Sequence, residues 1–410
     1  MRRALPFLAC LLLLVTQVSI LYLKRKEPSS IVEEASQLPF TDPIPSGPSG
    51  KLSTLGAPPE WNDLSPFQSK HAAESFKISL ESIYALPLSW QNTITLVSEK
   101  ALVSEHLSQN SEQFILKFGP NSPPVPTLPD LDKIHIAIDP GHIGGEFAQM
   151  EERNFQPFPD DPQQRPVREG ELTLLTAQHL KPLLENMGAK VTLVREDLNP
   201  VTKKTPKDFL PDFPKRKQAE KVFYRTAEIH ARAKLINNTI KPDLVLCIHY
   251  NADGWTDPLN PWAKKNHFHL ILHGAYMRNE LALDDQRFEM LNHLLNQRTE
   301  QVLPLAQTVS DVFLRELDLV PYHYQSTSPA LPLDEERPIF ARNLLANRLY
   351  QAPTLFLEPY VMNTRSFYER VQLGDYDGLR EVDGKMRPSV VREYAQTLAL
   401  GIQEYYENQN

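Results

Sequence analysis

The segment Leu244-Val245-Leu246-Cys247-Ile248 is apolar at every position, and a strand with no polar face has to be covered on both sides. That requirement excludes a half-solvated antiparallel sheet here and asks for helices above and below. The neighbouring segments supply them. Ile134 to Ile138 is a second short apolar run, Leu172 to Met187 has helical spacing, Val191 to Val194 reads as a strand, and a helix is expected from about Tyr224 to Asn237. Leu172, Leu175, Leu180, Leu183, Leu184 and Met187 fall on one helical face. Pro182 removes the hydrogen bond to Gln178 and predicts a kink or a split in that helix. Alternating helices and buried strands predict an α/β fold: a twisted, mostly parallel sheet with helices on both faces.

Organisation along the chain follows from composition. Leu5 to Leu23 is a nearly uninterrupted apolar run behind Arg2 and Arg3 and ahead of Lys24, Arg25 and Lys26, long enough to cross a bilayer. The run ends without an A-x-A pattern, which favours an uncleaved signal-anchor over residues 1–26; a cleaved secretion signal and a buried core segment are the other readings. Basic residues on both sides leave its orientation open. Residues 27–59 are rich in Pro and Ser and read as a linker. Residues 60–120 carry alternating segments, Phe76 to Leu80 and Asn92 to Val97, that predict strands of a small α+β module. Pro123, Pro124, Pro126 and Pro129 mark a second linker and a domain boundary over 121–131, and the main domain is expected over 132–406. Cys10 and Cys247 are too differently placed to pair, so no disulfide framework is expected. A net charge of -8 gives no electrostatic reason to bind nucleic acid.

Three apolar strands end in residues competent for metal or proton chemistry: Ile136-Ala137-Ile138-Asp139-Pro140-Gly141-His142, Leu246-Cys247-Ile248-His249-Tyr250-Asn251 and Thr354-Leu355-Phe356-Leu357-Glu358-Pro359. Strand C-terminal ends are where open α/β sheets place their sites. A fourth element, Val167-Arg168-Glu169-Gly170-Glu171-Leu172, opens the Leu172 to Met187 helix, where a carboxylate is also favoured by the helix dipole alone. Two imidazoles and one carboxylate make the His₂Glu set that holds a catalytic zinc and leaves a position for water.

In this order the four segments resemble the zinc-dependent N-acetylmuramoyl-L-alanine amidases. Asp139 to His142 matches that family's D-P-G-H, Glu169 to Leu174 its E-K-D-L-N-L, Pro242 to Asn251 its A-D-L-F-V-S-I-H-A-N, and Pro353 to Glu358 its P-A-V-L-V-E. The resemblance spans most of the last two thirds of the chain. It implies a phosphorylase/hydrolase-like amidase fold, one zinc ion held by His142, Glu169 and His249, and Glu358 as the catalytic carboxylate. It also implies peptidoglycan with its muropeptide stems as substrate, in the cell envelope. The catalytic domain would then face the periplasm or wall from an inner-membrane anchor. Asp139 and Asn251 are candidates to orient the ligating imidazoles. No regulatory partner is legible. Another zinc peptidase or deacylase of the envelope, or an inactive wall-binding module, would carry many of the same features.

The chain departs from the family in places. Gly170 stands where the family has lysine, Glu171 is a rival ligand to Glu169, and Pro359-Tyr360-Val361-Met362-Asn363 replaces G-F-L-S-N. Two additions, Gln149 to Arg168 and Thr256 to Tyr350, have the length of lids or binding loops. In the second, His267 and His269 share a strand face by period two, which fits a strand beside the site with a histidine on substrate, or a second metal. Tyr322, His323 and Tyr324 are expected as a packed aromatic cluster, and Glu228 and Arg232 as an i,i+4 pair.

Overall fold

The computed structural model describes residues 51–105, 113–254 and 260–409. The apolar run Leu5 to Leu23 and its expected anchoring role lie outside them, as does the linker up to residue 50. No helix among the described residues is long and apolar enough to cross a membrane.

Along the chain the strands are β1 (Ile94–Val97), β2 (Lys100–Ser104), β3 (Gln113–Lys117), β4 (His135–Pro140), β5 (Asn154–Phe155), β6 (Val167–Arg168), β7 (Lys190–Leu193), β8 (Leu244–Ile248), β9 (His267–His273), β10 (Val320–Pro321), β11 (Leu331–Pro332), β12 (Ile339–Arg342) and β13 (Thr354–Pro359). The main sheet runs β11-β12-β9-β13-β8-β4-β7, with β10 added to β9. β13, β8, β4 and β7 are parallel, as the apolar strands require, whereas β9 pairs antiparallel with β13 and makes the sheet mixed. Residues of β8 are buried throughout.

Strand alternation splits the core in two. Ile136, Ile138, Leu244, Leu246, Ile248, Leu355 and Leu357 face the helices Glu169–Asn186, Arg298–Glu316 and Val390–Glu407. Ala137, Val245, Cys247, Ile271 and Phe356 face the other way, against Ala233, Ile236, Ala346 and Tyr350. Fully burying a leucine such as Leu180 or Leu184 contributes roughly 1.5–3 kcal/mol, so each helix is held chiefly by this face.

Two expectations for the Glu169–Asn186 helix need correction. Pro182 does not split it. Both Pro182 and Gln178 lie at the solvent face, where water can take the carbonyl that proline leaves without a partner. Leu175 is exposed, one step off the face formed by Leu172, Leu180 and Leu184. The expected helix at Tyr224 to Asn237 is part of a longer helical run over residues 216–240, with π-helical turns at Val222–Ala227 and Ile236–Ile240.

Residues 60–120 also differ from expectation. Phe76 to Leu80 is helical, in Ala73–Ser79 and the π-turn Leu80–Tyr84, because Phe76, Leu80, Ile83 and Tyr84 place a buried face at helical spacing and Ile78 points to solvent. β1, β2 and β3 form an antiparallel sheet, as Asn92 to Val97 predicted for its first strand. This module does not close its core alone. Trp61, Phe76, Tyr84, Val103 and Leu116 pack with Tyr276, Leu281, Met290, Leu291 and Leu294 from the second addition. The proline-rich 121–131 segment therefore breaks regular structure without breaking the core, and the described residues on its two sides pack into one compact unit. The linker's end is tied down as well: Asp284 N–H donates to Lys51 O at 2.8 Å and Ser53 N–H to Asp285 Oδ1 at 3.0 Å.

Where β9 meets this shared core, the rings of His273 and His293 lie 4.0 Å apart, both buried. Burial pushes the pKa of His273 down to about 3 and that of His293 well below 6.5; Arg348 and Arg298 bear on both, and His273 on His293. Each is neutral when folded but protonates near pH 6.5 when unfolded. Their contribution to stability is therefore complete above pH 6.5 and is lost as pH falls below it, at about 1.4 kcal/mol per pH unit for each. Denaturant titrations between pH 7.5 and 5 are expected to give this decline, with a shallower slope in His273→Asn. Equal slopes for the two proteins would contradict it.

Candidate metal centre

β4, β8 and β13 are parallel neighbours, so their C-terminal ends come to one edge of the sheet. His142 follows β4, His249 follows β8, and Glu358 closes β13. Glu169, the first residue of its helix, reaches the same point from above. One donor atom each from His142, Glu169 and His249 lies within 4.8 Å of the others. His249 Nδ1 is 3.0 Å from Glu169 Oε1, and His142 Nε2 is 3.1 Å from Oε2. Tyr250 N–H donates to Oε1 at 3.2 Å, and Arg153 Nε approaches Oε2 at 3.1 Å.

The loop that carries His142 is clamped. His142 has φ 58°, left-handed backbone that a non-glycine residue adopts at a cost and that its surroundings must hold. Arg232 donates through Nη1 to Pro140 O and through Nη2 to His142 O, both at 2.7 Å. Glu151 accepts from Ile143 N–H at 2.9 Å and Gly144 N–H at 3.0 Å, with His142 Nδ1 at 3.5 Å. Arg232 is itself gripped by Glu228 at 2.7 Å and Asp139 at 2.9 Å, and Tyr350 O–H donates to Asp139 at 2.5 Å. A Cβ on Gly141 would stand 2.3 Å from the His249 ring. One on Gly170 would stand 2.3 Å from Gly144 N, which is why a side chain has no room there. His249 is fixed by stacking on Phe356 at 4.3 Å.

Electrostatics agree with a cation among these donors. Burial opposes a charge on His142, yet Glu169 and Glu151 lift its pKa to about 9. Glu169 is driven far below the carboxylate range: burial opposes its charge, but the attraction of His142 and the hydrogen bonds from His142 and His249 outweigh it. Burial pushes the pKa of His249 down, against the hydrogen bond and charge of Glu169, and so favours the neutral imidazole that a metal ligand must be. Two imidazoles and an ionised carboxylate, all buried or nearly so and converging, fit a zinc ion. Glu358 behaves oppositely: burial first, then the charge of Glu169, pushes its pKa up, with His142, Arg153 and Arg342 pulling the other way.

The residues singled out from sequence divide as follows. His142, Glu169 and His249 meet, and Glu358 sits on the strand beside His249, whose N–H donates to Leu357 O at 3.0 Å. Glu171 does not join them; it is half-exposed and pairs with Arg168 at 3.0 Å. Asp139 and Asn251 do not bond the imidazoles: Asp139 carries Arg232 and Tyr350, and the Asn251 side chain accepts from Ala252 N–H at 2.8 Å. His269 is the register partner of Glu358. It and His267 are buried against Tyr322, with His269 Nε2 2.9 Å from Tyr324 Oη, to which Arg342 donates at 2.9 Å. These histidines form a wall beside the site and belong to no second metal cluster among the described residues. Tyr322 and Tyr324 pack as expected, while His323 is exposed. Glu228 and Arg232 are an i,i+4 pair, but a buried one that holds the loop carrying His142. Glu151 and Arg153 were missed because they lie in an addition with no periodic signal.

No protein-family model matches this sequence, and no curated protein does. Solved structures do. The chain is similar to the CwlD amidase of Clostridioides difficile in complex with the GerS lipoprotein, at 16% identity over 67% of this chain and 100% of that one, TM-score 0.41. It is similar to the N-acetylmuramyl-L-alanine amidase Ami1 of Mycobacterium smegmatis, at 13% identity over 68% and 100%, TM-score 0.40. The N-acetylmuramoyl-L-alanine amidase AmiC2 of Nostoc punctiforme is 14% identical over 67% and 98%, TM-score 0.37.

Proposed function

We propose that this chain hydrolyses the amide bond between N-acetylmuramic acid and L-alanine in peptidoglycan, with one zinc ion at His142, Glu169 and His249. The observation that carries the reading is the meeting of those three donors within 4.8 Å at the strand edge where Glu358 also ends. The choice of this amide among others rests on the resemblance of the four motifs to the zinc amidases. The Leu5 to Leu23 run would tether the enzyme to the inner membrane with its catalytic domain toward the wall.

When bound, a zinc ion supplies Lewis acidity to a carbonyl and to water. The rest is the work of the chain. Glu358, buried and with a raised pKa, takes the proton of the attacking water and delivers it to the departing amine nitrogen as the carbon–nitrogen bond breaks. Glu169 is kept ionised by the imidazoles and does not compete for that proton. Separated pKa values thus give the two carboxylates separate roles. The clamp of Arg232 and Glu151 holds His142 in its left-handed conformation, so the donor set is formed before substrate arrives.

The test is zinc content and product analysis on the full-length protein with purified muropeptides. About one zinc per chain and release of free L-alanine amino termini are expected. Cleavage confined to peptide bonds would assign the site to a different envelope hydrolase.

A further inference from the structure

The loops that follow the site strands each send an aromatic residue to one cluster. Phe155 and Phe158 come from the segment after β4, Trp262 from the segment after β8, and Tyr368 from the helix Arg365–Gln372 after β13. Trp262 lies 5.3 Å from Phe155, 5.4 Å from Tyr368 and 6.2 Å from Phe158, ring centre to ring centre. Phe155 and Tyr368 are buried and form a floor continuous with the main core. Phe158 stands on it 43% exposed. Polar groups frame the cluster: the exposed Arg365 guanidinium lies 4.5 Å over the Trp262 ring, and Tyr368 O–H donates to Gln164 at 2.9 Å.

The cluster is continuous with the metal centre. Arg153, whose Nε contacts Glu169, precedes Phe155 by two residues, about 7 Å of extended chain. β5 pairs with β6, which runs directly into Glu169. The loop bearing Trp262 is tied to the end of β13 through Asn363, which donates to Pro261 O at 2.7 Å and accepts from Asp253 N–H at 3.0 Å. An exposed phenyl ring braced by the rings of Trp262 and Tyr368, which pack in turn on Phe155, is a surface held ready, since a free ring would fold inward or cost solvation. Its chemistry suits the apolar C–H face of a pyranose, with Arg365 beside it to donate to hydroxyl or acetamido oxygens. A charged peptide stem finds less there than at the wall of His269, Tyr324 and Arg342.

We infer that Phe158, on its floor of Trp262, Phe155 and Tyr368 and with Arg365 at its rim, is a glycan subsite that stacks an N-acetylated sugar ring of the substrate next to the metal centre. The inference rests on the peptidoglycan reading. It is tested on the full-length protein by calorimetric titration with chitotetraose, a peptide-free chain of N-acetylated sugars, and separately by muropeptide hydrolysis. Parent protein is expected to bind chitotetraose and Phe158→Ala to weaken that binding about tenfold, the order of one aromatic stacking contact. Ile115→Ala, which removes an equally exposed side chain on β3, is expected to bind as the parent does. In hydrolysis Phe158→Ala should raise KM more than it lowers kcat. Equal affinities of parent and Phe158→Ala, or no chitotetraose binding by a parent that cleaves muropeptides, would overturn the subsite. Chitotetraose binding lost in Phe158→Ala, in a protein that cleaves no muropeptide, would support the subsite while removing the amidase reading.

Discussion

Glu358→Gln is expected to lower kcat for muropeptide hydrolysis by about 10²- to 10⁴-fold while zinc content stays at the parent's level. The substitution keeps the shape of the side chain and removes only its ability to take and return a proton. Glu358 stands apart from the donor set formed by His142, Glu169 and His249, so the metal has no reason to leave. Removing a buried carboxylate whose charge burial disfavours should not cost stability, which separates loss of chemistry from loss of fold. KM should change little, because the amide carbonyl and both flanking groups are still bound. Parallel zinc analysis, thermal melting and steady-state kinetics decide the matter. A kcat within tenfold of the parent would move the proton transfer to another group, and His269, its neighbour across β9 and β13, would be the first to examine.

What the sequence made legible was local. Each site strand is a short apolar run, and the residue that ends it is adjacent in sequence, so His142, His249 and Glu358 could be read without knowing the sheet. Glu169 was readable because a helix start and a ligand coincide there. Strand direction was not readable: nothing in His267 to His273 says that β9 runs against β13, and it is the antiparallel register that sets His269 beside Glu358. Phe76 to Leu80 was too short to separate a period of two from one of 3.6, and only a window reaching Tyr84 discloses the helix. The shared core of residues 60–120 and the second addition is a contact between segments some 200 residues apart, beyond any local pattern. Arg232 had its partner Glu228 in view, but not Asp139, Pro140 and His142, which only the fold assembles around it.

Glu169→Ala is expected to abolish both zinc retention and hydrolysis, whereas Glu171→Ala is expected to keep both. The two carboxylates are two residues apart on one helix, and their surroundings are opposite. Glu169 is buried, and its oxygens face His249 Nδ1 at 3.0 Å, His142 Nε2 at 3.1 Å, Arg153 Nε at 3.1 Å and Tyr250 N–H at 3.2 Å. Glu171 is half-exposed and makes an i,i+3 pair with Arg168, worth under about 1 kcal/mol at a surface. Removal of Glu169 opens the three-residue donor set and also takes away the buried carboxylate that Arg153 Nε approaches at 3.1 Å. Breaking a buried pair in this way costs roughly 3–5 kcal/mol, so the alanine variant should melt earlier even when zinc is chelated from both proteins. Glu169→Gln separates the effects: it keeps a hydrogen-bond acceptor for Tyr250 N–H and fills the same volume, but it lacks the charge that holds His142 and a cation. Its metal-free stability is expected to lie between those of parent and alanine variant, with zinc still lost. Full zinc occupancy in both Glu169 variants, together with its loss in Glu171→Ala, would transfer the ligand role to Glu171 and leave the Glu169 carboxylate as the anchor of Arg153.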